Sequence, residues 1–147
     1  MEYCLQFCVF EIYDDIICLI NKKNDAKVTL SEYRRKSLRK LIDTKDIIRV
    51  VEPHDGLTGL IAENTKINKE GKIFQFDAML VLTLCVSLQK GKPDIELVDF
   101  SSRCDIVDEI MDVTSKPVIF DGDTGGMIDH FVYAVRTLER IGVSAII

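Results

Sequence analysis

Apolar and polar positions change rhythm along this chain, and each rhythm predicts an element. The first 21 residues are largely apolar, with Leu5, Phe7, Val9, Phe10, Ile12, Ile16, Ile17, Leu19 and Ile20. A polar stretch from Asn21 to Lys27 closes that segment, so residues 1–27 read as an appendage, buried or covered by a partner. Thr29-Leu30-Ser31-Glu32 has the form of a capping box, which predicts a helix start. Leu30, Tyr33, Leu38, Leu41 and Ile42 give that helix an apolar stripe to about Asp43. Ile47 to Val51 is short and β-branched and predicts a buried strand, stopped by Pro53 and followed by a helix from Leu57 to Glu63. Lys66 to Gln75 is polar around Gly71 and reads as a surface loop or small excursion.

Ala78 to Val86 is a continuous apolar run, taken as a second buried strand, and Lys90 to Phe100 as a loop. Ile106, Val107, Ile110 and Met111 lie on one side of a helix expected over Asp105 to Val113. Pro117 to Phe120 is the third strand. Ile128, Phe131, Val132, Val135 and Leu138 mark a helix from Met127 to Arg140, with Gly142 suited to its C′ position. Val143 to Ile147 begins a fourth strand. Wholly apolar strands alternating with helices predict parallel strands covered on both faces. The expected fold class is α/β, the first half of a (β/α)8 barrel, truncated within its fourth strand, because a complete barrel needs about 250 residues.

Composition narrows the function. The 147 residues suffice for a domain with a core, and 47% are hydrophobic. The formal net charge of -5 argues against a nucleic-acid or anionic-membrane partner. The basic cluster Arg34-Arg35-Lys36 with Arg39 and Lys40 reads as a solvated helix face. Five cysteines, odd in number and without a C-x-x-C pair, fit reduced thiols and a cytoplasmic location. Glu2, Glu11, Asp14 and Asp15 break the N-terminal apolar run, which therefore predicts neither a signal peptide nor a membrane span.

Candidate chemistry gathers at the predicted strand ends: Glu52, His54 and Asp55 after the first, Thr83, Lys92 and Asp94 after the second, Asp121 and Asp123 after the third. In a parallel α/β fold these ends share one rim, where ligands bind. Val118 to Gly126 is the sharpest segment, an apolar run ending in two carboxylates one residue apart and followed by two glycines. Carboxylates there suit a hard cation such as Mg²⁺. An acid ending a buried strand costs desolvation unless it is paired or binds metal, although a bare acidic β–α turn that caps a helix remains open.

Three segments carry a family resemblance. Glu52-Pro53-His54-Asp55-Gly56-Leu57-Thr58-Gly59-Leu60-Ile61 resembles the E-A-H-N-G-L-S/T-G-L-I segment of phosphoenolpyruvate phosphomutases. Gly91-Lys92-Pro93-Asp94-Ile95-Glu96 resembles their G-K-P-D-I-E loop, and Asp121-Gly122-Asp123-Thr124-Gly125-Gly126 their D-G-D-T-G-G metal segment. The run from Arg136 to Ile147 continues the likeness, which covers about Leu30 to Ile147. It implies the isocitrate lyase superfamily, an α/β barrel whose N-terminal half is residues 28–147. It also implies Mg²⁺-dependent interconversion of phosphoenolpyruvate and phosphonopyruvate, the first step of phosphonate biosynthesis. By resemblance, Asp121 coordinates Mg²⁺ directly, Asp123 holds it through water, Asp94 sits beside the reacting phosphoryl group and the metal as the catalytic residue, and backbone amides near Thr83 and Leu84 help hold substrate. A homo-oligomer is expected for the full-length protein.

The chain also departs from the family. Leu80 and Leu82 stand where the family has a tryptophan and a serine, Asp55 replaces an asparagine, and the sequence stops before the family's Glu-Asp-Lys. A non-catalytic remnant or partner-binding half-domain is the competing expectation. A phosphatase of the haloacid-dehalogenase type fits less well, because Thr124 follows Asp123 immediately instead of two residues later.

Overall fold

Four short β-branched segments pair in parallel and set the frame of the molecule. The structure is a computed structural model and describes residues 29–147. Its elements are α1 (Ser31–Thr44), β1 (Val50–Val51), α2 (Gly56–Asn64), β2 (Lys66–Lys69), β3 (Lys72–Gln75), β4 (Ala78–Val81), α3 (Thr83–Gln89), α4 (Phe100–Val113), β5 (Val118–Phe120), α5 (Ile128–Ile141) and β6 (Ala145–Ile146). The main sheet has the order β1-β4-β5-β6, with every pairing parallel. This is the expected α/β arrangement of parallel strands and helices. The expected appendage, residues 1–27, lies outside the described residues.

Strand alternation decides which side chains face the helices. Met79, Val81, Val118 and Phe120 point one way and are at most 1% exposed. They pack on Ile106, Val107, Ile110 and Met111 of α4 and on Leu138 of α5. Phe100 meets Phe120 edge-on, with ring centroids 6.2 Å apart. Leu80 and Ile119, paired across the other face of the sheet, are only half-buried.

Several expected elements come out differently, each for an identifiable reason. The run Ala78 to Val86 is strand only to Val81, and from Thr83 it is helix. An apolar run without a breaker satisfies a buried strand and a buried helical turn equally, and Val86 and Ser87 are buried on α3. The excursion at Lys66 to Gln75 is an antiparallel hairpin turned at Glu70-Gly71, both at positive φ (54° and 78°). That is the mirror-image backbone that matches strand twist in a two-residue turn. Helix α4 starts at Phe100, five residues before the expected Asp105, because Asp99 caps it by accepting from Ser102 N at 3.0 Å.

The capping box at Thr29 to Glu32 does not form as expected. Leu30 is the N-cap of α1 and supplies no side-chain cap. The Ser31 hydroxyl instead donates to the Arg140 and Ile141 carbonyls at 3.4 and 3.5 Å, which are orphans at the end of α5. The basic face of α1 is solvated at Lys36, Arg39 and Lys40, but Arg34 is buried. Its guanidinium donates to the carbonyls of Met111 (3.2 Å) and Thr114 (2.7 Å) and thereby caps α4 from outside. Gly142 occupies the expected C-cap of α5 at φ 107°. Among the described residues, no helix is long and apolar enough to cross a membrane.

Candidate active site

The parallel order places the ends of β1, β4 and β5 along one edge of the sheet, and the chain leaves that edge through Glu52, Leu82 and Asp121 respectively. Behind β5 the backbone turns sharply. Gly122 N donates to Ile147 O at 2.9 Å, and a Cβ at Gly122 would lie 3.2 Å from that carbonyl, so a side chain there would press on β6 and its end. Gly125 and Gly126 both take positive φ (81° and 68°) and carry the loop into α5.

Asp121 and Asp123 meet here as a set. Asp123 N donates to Asp121 Oδ1 at 3.0 Å, and Asp123 itself sits at φ 51°. Asp123 Oδ2 accepts from the Thr83 hydroxyl at 2.8 Å and from Arg103 Nη1 at 2.5 Å. The other arm of Arg103 donates to the Asp121 carbonyl, and its guanidinium stacks 4.4 Å above the Phe120 ring. Thr83 and Arg103 are both buried, so the Asp123 carboxylate is held from behind by a fixed hydroxyl and a fixed cation. Among the described residues, no hydrogen bond reaches Asp121 Oδ2 or Asp123 Oδ1.

The loop after α3 is tied to the same place. Glu96 takes φ 58° and its Oε1 accepts from Thr124 N at 3.1 Å. The Thr124 hydroxyl and amide hold the Glu96 carboxyl below its usual range. This bond ties the loop that carries the exposed Asp94 to the acidic turn. Leu84 lies in the first turn of α3, with its side chain exposed.

The residues after β1 have structural partners. Asp55 caps α2 by accepting from Thr58 N at 2.7 Å, and the Thr58 hydroxyl completes the reciprocal box with Asp55 N at 3.1 Å. Burial pushes the Asp55 carboxyl up, but the Thr58 amide and hydroxyl outweigh it and leave the group below its usual range. His54 N donates to the Thr58 hydroxyl, and its Nε2 stands 4.0 Å from Asp55 Oδ2. Glu52 contacts Cys85 instead. Its hydrogen bond, reinforced by burial, pushes the Cys85 thiol up to about 11. Cys85 and Cys104 are both free thiols.

Sequence reasoning missed two residues of this site, Arg103 and Glu96. Arg103 is the one cation on the buried stripe of α4, three residues before Ile106, and a cation on an apolar face calls for a carboxylate partner. Glu96 closes the Gly91–Glu96 segment that carries the family resemblance, but its role was not assigned there, because it depends on a positive φ.

A divalent cation can be tested against this donor set. Among the described residues no three His, Cys, Asp or Glu side chains cluster tightly enough to hold a metal by themselves. Two carboxylates, each with one oxygen free of hydrogen bonds, are a poor cage for Zn²⁺. They suit Mg²⁺, which is usually bound through one or two carboxylates while water and substrate oxygens fill its other positions.

Comparison with known proteins identifies the family. The family model described as phosphoenolpyruvate phosphomutase matches residues 38–147. The chain belongs to the phosphoenolpyruvate phosphomutase family. Over 125 residues it is 26% identical to a phosphoenolpyruvate phosphomutase of Tetrahymena pyriformis, covering 84% of this chain and 39% of that protein. It is 30% identical over 115 residues to an isocitrate lyase of Haloferax volcanii, covering 77% of this chain and 31% of the lyase. A phosphonopyruvate hydrolase crystallised with oxalate and Mg²⁺ superposes with a TM-score of 0.66 at 25% identity, over 77% of this chain and 37% of the other. The chain therefore spans well under half the length of the relatives it matches, within a superfamily that holds mutases, lyases and hydrolases on TIM-barrel-like folds.

Proposed function

We propose that residues 28–147 form the N-terminal half of a phosphoenolpyruvate phosphomutase barrel and supply its Mg²⁺-binding turn. The activity is interconversion of phosphoenolpyruvate and phosphonopyruvate, which feeds phosphonate biosynthesis. The observation that carries this reading is the Asp121–Asp123 turn at the end of β5, with Asp123 fixed from behind by Thr83 and Arg103.

Asp121 would hold Mg²⁺ directly and Asp123 would hold it through water, each by the oxygen that is free of hydrogen bonds. The ion would supply charge neutralisation for the substrate's carboxylate and C2 oxygen. In the reaction the phosphorus–oxygen bond to C2 breaks and a phosphorus–carbon bond to C3 forms. Atoms balance without a co-reactant, because the enol oxygen becomes the carbonyl of phosphonopyruvate. The protein's work is then positioning and charge stabilisation. The Glu96–Thr124 bond holds the loop that brings Asp94 toward the phosphoryl group. Backbone amides in the first turn of α3, at Thr83 and Leu84, would hold substrate oxygens. A homo-oligomer is the assembly expected of the full-length protein. Free thiols at Cys85 and Cys104 support a reducing compartment, the cytoplasm.

The test is direct. Mg²⁺ is expected to raise the melting temperature of the chain, and phosphonopyruvate to be converted to phosphoenolpyruvate by a protein extended through the second half of the barrel. Asp121→Ala should abolish both effects. Absence of both the metal-dependent rise and turnover would sink the reading. A second reading, a non-catalytic half-domain that binds a partner, is favoured by one observation: apolar side chains stand exposed along α5.

A further inference from the structure

Two surfaces of opposite sign lie on neighbouring elements, and each sets like charges against one another. The first is the hairpin β2–β3. It forms a two-stranded sheet of its own, and every residue of both strands is exposed. A two-stranded hairpin without further cover is marginal in water. Its cross-strand pairs Ile67–Phe74 and Lys69–Lys72 share one face, and Arg49 stacks 5.4 Å from the centre of the Phe74 ring at the base. That face presents Arg49, Lys69 and Lys72 around two apolar side chains, of which Ile67 is 63% exposed. Lysines directly opposite each other destabilise a strand pair.

The second surface is the outer face of α4. Asp105, Asp108, Glu109 and Asp112 recur there at three- and four-residue spacing, all exposed. Like charges at that spacing destabilise a helix. Partial burial, then the Asp112 and Asp105 charges, push the Asp108 carboxyl up. Ion pairs of the described residues form elsewhere, at Arg35–Glu139, Lys45–Asp77, Arg103–Asp123 and Lys116–Glu63.

We infer that the hairpin of one copy docks on the outer face of α4 in a second copy, with Lys69 and Lys72 against Asp105, Asp108, Glu109 and Asp112, and that the exchange is mutual. Three observations select a second copy. Charge is the first: each patch supplies the sign the other lacks, and one chain carries both. Size is the second. Lys66 to Lys69 covers about 10 Å of strand, and Asp105 to Asp112 about 10 Å of helix. Placement is the third. Helix α2 packs on α4 through Gly59, against Ile110 and Val113, and Glu63 at its end accepts from Thr114 and Ser115. The hairpin begins at Lys66, directly after α2. Hairpin and acidic face are therefore neighbours, and a single two-fold axis can bring each hairpin to the other copy's helix and close the pair as a dimer.

Helix α2 carries the chain away from the edge that holds the acidic turn, so the hairpin sits at the opposite edge, before β4. Docking there leaves Asp121 and Asp123 open. The inference gives a surface to the homo-oligomer proposed above and does not depend on the metal reading.

Sedimentation of the full chain at low ionic strength is expected to show a dimer whose dissociation constant rises at least tenfold in about 0.5 M salt. Lys69→Glu with Lys72→Glu reverses the hairpin, and Asp108→Lys with Asp112→Lys reverses the helix face. All four side chains are exposed, so both variants should keep the far-UV circular dichroism of the parent. Each variant alone should sediment as a monomer, because its two patches now share one sign. Mixed in equal amounts they should restore a dimer, because each offers the charge the other lacks. The milder Lys72→Gln should weaken the parent dimer at least threefold, and an unchanged dissociation constant there would count against the inference. A parent that is monomeric at every salt concentration would overturn it. A dimer that survives in both reversed variants would overturn it in favour of another surface. Reversed variants that stay monomeric when mixed would overturn it too, since the two patches then do not meet.

Discussion

Arg103 shows how one side chain organises the acidic turn. Its guanidinium satisfies a carboxylate, a carbonyl and an aromatic face at once, all from a buried position on α4. Truncation would leave the Asp123 carboxylate with only the Thr83 hydroxyl behind it. Breaking a buried pair by removing one partner costs about 3 kcal/mol. Arg103→Met is therefore expected to lower the unfolding free energy by about that amount in urea denaturation. In an Asp123→Asn background the same change should cost much less, because no charge is left unpaired. Equal costs in both backgrounds would mean that Arg103 acts through the Asp121 carbonyl and Phe120 and not through the Asp123 charge. The motif Asp121-Gly122-Asp123 was legible in the sequence because its carboxylates follow an apolar run. Its neutralising cation lies 20 residues away from Asp123, and no local pattern names that pairing.

At the scale of elements, the ends of α5 behave differently. The C-terminal end is closed by Gly142, whose N–H donates to Leu138 O at 3.0 Å in a left-handed conformation. A Cβ there would lie 3.0 Å from the Ser31 hydroxyl, so the residue is constrained both by its φ and by α1. Gly142→Ala is expected to destabilise the protein by at least about 1 kcal/mol, read as a lower midpoint in thermal or urea unfolding. An unchanged midpoint would show that α1 can draw back without cost. The glycine was readable in the sequence because a helical stripe ends just before it. The strand–helix switch at Leu82 was not, since Ala78 to Val86 has no breaker and tertiary burial alone distinguishes the two states.

Across the whole molecule, polar clamps join elements far apart in sequence. Glu63 at the end of α2 accepts from Thr114 at 2.6 Å and Ser115 at 2.8 Å, and Lys116 Nζ stands 3.2 Å away. Burial raises the Glu63 carboxyl, but these hydroxyls and the ammonium outweigh it, and the group lies below its usual range. Asp77 before β4 behaves alike. Burial pushes it up, and the Arg49 amide (2.9 Å) and Lys45 pull it below the usual range. A carboxyl depressed in the folded state binds fewer protons there than in the unfolded chain, so stability rises with pH through that window. The contribution is complete above the unfolded values of about 4. It disappears as pH falls through the lower folded values. Unfolding free energy should therefore be flat above about pH 5 and decline below it. Glu63→Gln should make the acid limb shallower. An identical limb in that variant would remove Glu63 from the account.

The sequence by itself determined the alternation of apolar strands with helices, the placing of acids at strand ends and the family. These depend on local periodicity and contiguous motifs, which survive without knowledge of the fold. Only the tertiary structure decided what those motifs touch. It assigned Arg103 and Thr83 to Asp123 and Glu96 to Thr124. It gave Asp55 to the cap of α2, Ser31 to the foot of α5 and Arg34 to the end of α4. It also showed that the stripe of α5, read from spacing as a core face, reaches the core only toward its C-terminal end, at Leu138 and Ile141. Periodicity reports that a face is apolar. Which surface covers it depends on how distant elements pack.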